Sequence, residues 1–179
     1  MQSYNESDII EYHDFFENHD FISIIRVIDS KDWTWGHKSI QNKNDRLPPF
    51  WTMKLSEDKF FSDYLLNKIE QKTNCEYHLE RVYANGQNYG MRGSPHQDGF
   101  DSSCRTFLYY PMETWNVEWG GKTGFIIPTD SGPKYHFVVP EPNKAILFPG
   151  QIFHWAEETT RSFAGLRVSI AWKLFIKIK

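Results

Sequence analysis

Cysteine is scarce. The 179-residue chain holds only Cys75 and Cys104, too few for a disulfide framework, so a reducing, cytoplasmic setting is expected. Long apolar runs are lacking as well. Nothing approaches the ~18 consecutive apolar residues of a membrane helix. Met1-Gln2-Ser3-Tyr4-Asn5-Glu6 shows no basic region followed by an apolar run, so no secretory leader is expected. No one sign of charge dominates. Twenty Lys and Arg stand against 23 Asp and Glu, net −3 and dispersed, so no basic stripe points to a nucleic-acid partner. Repeats and low-complexity segments are absent. Aromatic residues are plentiful at 17%, with 14 Phe, 9 Tyr and 7 Trp. They favour half-buried strands and pocket walls. The length suits one domain with a sizeable core.

The first 75 residues read as a short strand and two helices. Ile9 to Phe16 fits a strand entering a helix that Asn18 or Asp20 caps. Phe21, Ile24, Ile25 and Ile28 recur on one face of that helix. Trp33 and Trp35 alternate over Asp29–Gly36, as in a strand. Gln41–Pro49 reads as a loop. Ser56 is placed to cap a second helix reaching about Lys72, with Phe60, Phe61, Tyr64, Leu65, Leu66 and Ile69 on its core face. After Asn74 the period changes to two. Tyr77, Leu79 and Arg81-Val82-Tyr83 are followed by apolar runs at Thr106–Tyr110, Gly124–Ile127, Tyr135–Val139, Ala145–Phe148, Ile152–Trp155 and Leu166–Ile176. Helices first and short strands afterwards predict an α+β, mainly β fold: an antiparallel sandwich or jelly roll.

Within Ser94-Pro95-His96-Gln97-Asp98-Gly99, His96 and Asp98 are two apart, so in extended backbone they reach the same side. An imidazole and a carboxylate meeting there make two-thirds of a 2-His-1-carboxylate facial triad, which leaves three metal positions open. Alone the pair carries little weight, because His and Asp in polar loops commonly bond nearby backbone. His154, after the apolar strand and turn Ala145–Gly150, is the candidate third ligand. Its bland alternative is a half-buried structural histidine. Arg167, Ser169 and Ala171 share one face of the last strand, and a buried Arg with a hydroxyl two residues on makes a clamp for a carboxylate. His78 and Glu80 are also two apart, but on a strand whose polar face reads as solvated.

Residues from about Val82 to Trp172 resemble the Fe(II)/2-oxoglutarate-dependent dioxygenase superfamily, particularly its prolyl 4-hydroxylase-like branch. The matching pieces run in order. Tyr83-Ala84-Asn85-Gly86 precedes His96-Gln97-Asp98, and Thr106–Tyr110 follows. Next come Gly120-Gly121-Lys122-Thr123-Gly124-Phe125, Pro142–Phe148 leading to His154, and Gly165-Leu166-Arg167-Val168-Ser169. The resemblance implies one double-stranded β-helix (jelly-roll) domain over 1–179, with 1–75 as helical buttress and first strands and 76–179 as the core that carries the site.

By the same resemblance His96, Asp98 and His154 bind Fe(II), and Arg167 with Ser169 holds the distal carboxylate of 2-oxoglutarate. Tyr110 contacts that carboxylate, with Thr106 and Leu108 on the same strand face, and Tyr83 lies nearer the iron. Each tyrosine could instead be core packing. Arg161, seven residues after His154, competes with Arg167 for the clamp. With O2, the implied reaction decarboxylates 2-oxoglutarate to succinate and CO2 and hydroxylates an unactivated C–H bond, with ascorbate as reductant. The implied substrate is a peptidyl prolyl or other protein side chain in an extended segment laid across the barrel mouth, where the loops carrying Trp33, Trp35, Phe50, Trp51 and Trp115 could form an aromatic rim; hydrophobic core is the favoured alternative for any single one of them. Small molecules and alkylated bases are the same-superfamily alternatives. A jelly roll that binds metal without turnover is the alternative from another class.

Overall fold

The period-two stretches after Asn74 become strands because alternate side chains have two different apolar layers to enter. The computed structural model describes residues 4–30, 32–37 and 49–177. Its strands are β1 (Ile10–Tyr12), β2 (Thr34–His37), β3 (Phe50–Lys54), β4 (Tyr77–Gln87), β5 (Cys104–Tyr110), β6 (Thr123–Thr129), β7 (Gly132–Val138), β8 (Lys144–Pro149), β9 (Phe153–Ala156) and β10 (Arg167–Ile176). They form a large sheet in the order β1-β8-β5-β10-β4-β3-β2 and a small one in the order β7-β6-β9. Every pairing is antiparallel. This is the jelly-roll, mainly β architecture that the alternation predicts.

β10 lies at the centre, between β4 and β5. Its even positions, Val168, Ile170, Trp172 and Leu174, join Phe107 and Tyr109 of β5 in a core beneath the helices. Helix α1 (Asn18–Ile28) gives that core Ile24 and Ile28, and α2 (Leu66–Thr73) gives Ile69. Each such side chain contributes about 1.5–3 kcal/mol by leaving water. The odd positions of β10, Arg167, Ser169, Ala171 and Lys173, face the other way and line a cavity between the sheets. Phe125, Ile127, Phe148 and Ile152 close that side as a second apolar cluster.

The helical half departs from expectation at its caps. Position Glu17, not Asn18 or Asp20, precedes α1, and Asp20 is buried inside it, 2.9 Å from Lys68 of α2. Asp20 thus joins two helices and caps neither. Ser56 exchanges hydrogen bonds with the Val82 backbone instead of capping. Asp58 supplies the start: its Oδ1 accepts from the Phe60 N–H at 2.9 Å, and Phe60–Leu65 winds as a π-helix before α2. Leu65 and Phe61 of that wide turn are wholly buried. The first strand is shorter than expected, because Asp14 takes a left-handed φ of 48° just after it. β3 was not expected. The predicted loop Gln41–Pro49 lies, up to position 48, outside the described residues. Among the described residues, no helix is long and apolar enough to cross a membrane.

Candidate metal centre

The connection from β4 to β5 carries His96 and Asp98, and the small sheet pins it in place. The His96 and His154 backbones exchange N–H···O bonds of 3.0 and 2.9 Å, and the Asp98 N–H donates to Gly150 O at 2.8 Å. Gly99 and Gly150 permit this approach. A Cβ on either would sit 2.7 or 2.4 Å from the Cys104 sulfur.

These backbone bonds bring His96, Asp98 and His154 to one point. One ligand atom from each lies within 4.8 Å of the others. His154 Nε2 is 3.2 Å from Asp98 Oδ2, and His96 Nε2 is 3.5 Å from Asp98 Oδ1. Neighbouring donors on a metal with ~2.1 Å bonds lie about 3 Å apart, so the spacing fits one ion. Each imidazole turns its other nitrogen to a carbonyl: His96 Nδ1 to Ser94 O at 2.9 Å, and His154 Nδ1 to Ile152 O at 3.0 Å. A proton on Nδ1 leaves the Nε2 lone pair facing the shared point. Burial pushes the His154 pKa down, which favours the neutral ligand form, although Asp98 opposes it. Burial alone would raise the Asp98 carboxyl. The Lys173 ammonium and the His154 imidazole instead hold it well below the usual carboxylate range.

Lys173 is the residue that the sequence reading passed over. It is 3% exposed, and its ammonium donates to Asp98 Oδ2 and reaches Thr106 Oγ1 at 3.4 Å. The Thr106 hydroxyl donates to the same carboxylate oxygen at 2.5 Å. Thr106 stands directly across from Lys173 in the β5–β10 pair. The available signal was the alternation Arg167-Ser169-Ala171, which continues to Lys173.

The far end of the same cavity holds Arg167, 1% exposed. Its Nε donates to Gly121 O at 2.7 Å, Nη1 to Gln87 Oε1 at 2.7 Å, and Nη2 to Thr123 Oγ1 at 3.2 Å. All three acceptors are neutral, and among the described residues no carboxylate pairs with it. A buried guanidinium in neutral surroundings is costly, and an incoming carboxylate would relieve the cost. Two of its five N–H groups remain for such a group. Tyr110 packs its ring 5.5 Å from the guanidinium and shares a 2.6 Å hydrogen bond with Thr123. Burial pushes its phenol up to about 12, so it stays a neutral donor.

Thr106, Leu108 and Ser169 line the cavity between these ends. Tyr83 borders both this cavity and an outer cleft of about 620 Å³ that reaches His96 and Asp98. Arg161 is exposed and donates to the Tyr89 hydroxyl at 3.0 Å, away from the cavity. His78 and Glu80 are exposed, as expected of a solvated face.

The aromatic rim does not form. Among the described residues, the outer cleft is lined by His37, Lys54, Arg81, Gln97 and other polar groups, with Tyr83 its one Phe, Tyr or Trp. Trp33 points inward and donates to Ile28 O. Trp35 and Trp51 pack on each other at 5.1 Å, and Phe50 is buried against the inner cavity. Trp115 packs edge-on against Trp119 and tilted against Phe163, beside Gly121.

No family model matches the sequence, and no curated protein does. Solved structures match over nearly the whole chain. A Trichoplax adhaerens prolyl hydroxylase, in complex with a hypoxia-inducible-factor degradation-domain peptide, is 16% identical with a TM-score of 0.70. The match covers 94% of this chain and 83% of that one. An oxidoreductase of the 2OG-Fe(II) oxygenase family from Burkholderia pseudomallei is 12% identical, TM-score 0.71, covering 95% and 86%. The non-heme alpha-ketoglutarate-dependent epimerase SnoN of nogalamycin biosynthesis is 11% identical, TM-score 0.68, covering 94% and 78%. The chain therefore has the jelly-roll fold of the 2OG-Fe(II) oxygenases, in the form that the prolyl hydroxylases share.

Proposed function

We propose that this protein is an Fe(II)- and 2-oxoglutarate-dependent oxygenase. One observation carries the reading: two imidazoles and a carboxylate converge at one end of a buried cavity whose other end is an unneutralised guanidinium. His96, Asp98 and His154 would hold Fe(II), and the donor set suits that ion. Arg167 would grip the distal carboxylate of 2-oxoglutarate, with Tyr110 and Ser169 beside it. Iron with 2-oxoglutarate and O2 supplies an oxidation coupled to release of succinate and CO2, and ascorbate would keep the metal ferrous. The protein positions the two ends of the keto acid, fixes the imidazole tautomers through Ser94 O and Ile152 O, and excludes water with Leu108 and Phe125.

The substrate would enter by the outer cleft. Hydroxylation of a prolyl or other protein side chain is the reading that the prolyl hydroxylase neighbours support. The polar cleft lining favours a second one, a polar small molecule, in keeping with the range of reactions on this fold. Incubation with Fe(II), ascorbate and carboxyl-labelled 2-oxoglutarate tests the assignment. Slow release of labelled CO2 is expected without added substrate, and its loss in His96→Ala. Equal release from wild type and His96→Ala would remove the assignment.

A further inference from the structure

Lys173 places a second buried cation in the cavity that already contains Arg167. Among the described residues, Asp98 is the carboxylate that meets Lys173, and it opens to the outer cleft beside Glu57, Lys54 and Arg81. Lys173 and Arg167 are the cations, His96 and His154 offer Nε2, and the Tyr83 ring is 5.9 Å from Lys173, with Arg81 beyond it. With neutral imidazoles, Asp98, Lys173 and Arg167 therefore sum to about +1 before any ligand arrives. A divalent ion added alone would raise it to about +3, in surroundings that screen charge poorly. A dicarboxylate added with the ion returns it to about +1.

Building on the reading above, we propose that Lys173 makes metal and dicarboxylate bind as a pair: its ammonium, fixed on Asp98 Oδ2, opposes a divalent ion alone and is offset by the acid groups of the cosubstrate. What Lys173 adds beyond orienting Asp98 is its charge. Thr106 already donates to Asp98 Oδ2 and could hold the carboxylate without a charge. An ammonium has three donors, and Asp98 and Thr106 take two of them. A residue that only oriented Asp98 would not need to be a cation beside a cation site.

The test is a Mn(II) titration followed by electron paramagnetic resonance, with and without 2-oxoglutarate. The proteins are wild type, Lys173→Met, Lys173→Gln and Lys173→Arg. In wild type, 2-oxoglutarate is expected to tighten Mn(II) at least tenfold. In both neutral variants Mn(II) alone should bind at least tenfold tighter and the enhancement by 2-oxoglutarate should shrink. Arginine should restore the wild-type pattern. Weaker or unchanged Mn(II) binding in a folded neutral variant overturns the proposal and makes Lys173 an orienting group for Asp98. A measurement on wild type alone covers the case in which both neutral variants misfold. Glutarate, which lacks the chelating keto group, should still tighten Mn(II), and no enhancement by it counts against charge compensation. If wild type binds neither Mn(II) nor 2-oxoglutarate, the oxygenase reading itself fails, a result distinct from all of these.

Discussion

Arg161 and Arg167 are six residues apart and differ in everything that matters to an anion. Arg161 sits in water against a tyrosine hydroxyl, where an exposed charge gains little. Arg167 is enclosed, has neutral partners only, and faces the cavity. Arg167→Ala should weaken 2-oxoglutarate binding by a hundredfold or more, about 3 kcal/mol for a buried charge-assisted contact, while Arg161→Ala stays within twofold. Calorimetric titration in the presence of Mn(II) measures both, and the reverse order would assign the clamp to Arg161. Strand alternation made this choice legible in the sequence, because Arg167 and Ser169 share a face and Arg161 follows a polar turn. The same alternation extends to Lys173. A lysine near the end of a strand ordinarily snorkels to water, and only the fold shows Thr106 and Asp98 beside this one inside.

At the scale of elements, spacing predicts where strands lie better than what joins them. β5, β8 and β10 fall where the apolar runs place them, since each must feed two layers. The helical half follows long-range partners instead: Asp20 answers to Lys68, and Ser56 to Val82, contacts that no local pattern encodes. Asn143 is the sharpest case. It precedes β8 with φ at 55°, and its side chain reaches back to the segment before α1. Its Oδ1 accepts from the Phe16 N–H at 3.0 Å and from the Tyr109 hydroxyl at 2.9 Å, and its Nδ2 donates to Phe16 O at 2.9 Å. Two of these bonds fasten the N-terminal segment to the β5–β8 end of the large sheet, and the third holds the Asn143 side chain on β5. Asn143→Ala breaks all three and leaves in the left-handed conformation a residue that tolerates it less well than asparagine. It should cost about 2–4 kcal/mol, measured as a lowered urea midpoint. Asn143→Gly keeps the backbone freedom and should recover only the smaller part. Full recovery by glycine would mean that the side-chain bonds carry no weight.

Taken whole, the molecule is two sheets whose shared cavity is lined by groups from three separate pieces of chain. His154 belongs to β9 of the small sheet, Arg167 to β10 of the large one, and His96 and Asp98 to the β4–β5 connection. A ligand set spread in this way ties the sheets together when filled, and nothing in the unfolded chain can reproduce it. Mn(II) with 2-oxoglutarate should therefore stabilise the native state by mass action, by about 2.7 kcal/mol at a hundredfold excess over Kd. For a chain of this length that corresponds to a rise in Tm of roughly 5–10 °C. A chelator should reverse the rise. His96→Ala and Arg167→Ala should each lose most of it, one by removing a metal ligand and the other by removing the grip on the acid. The effect should also be more than additive, because each ligand alone leaves one end of the cavity unsatisfied. Differential scanning fluorimetry with metal, keto acid, both and neither resolves these terms. Equal shifts in wild type and His96→Ala would show that the ions bind elsewhere, and that the convergence of these three side chains has no bearing on what holds the two sheets together.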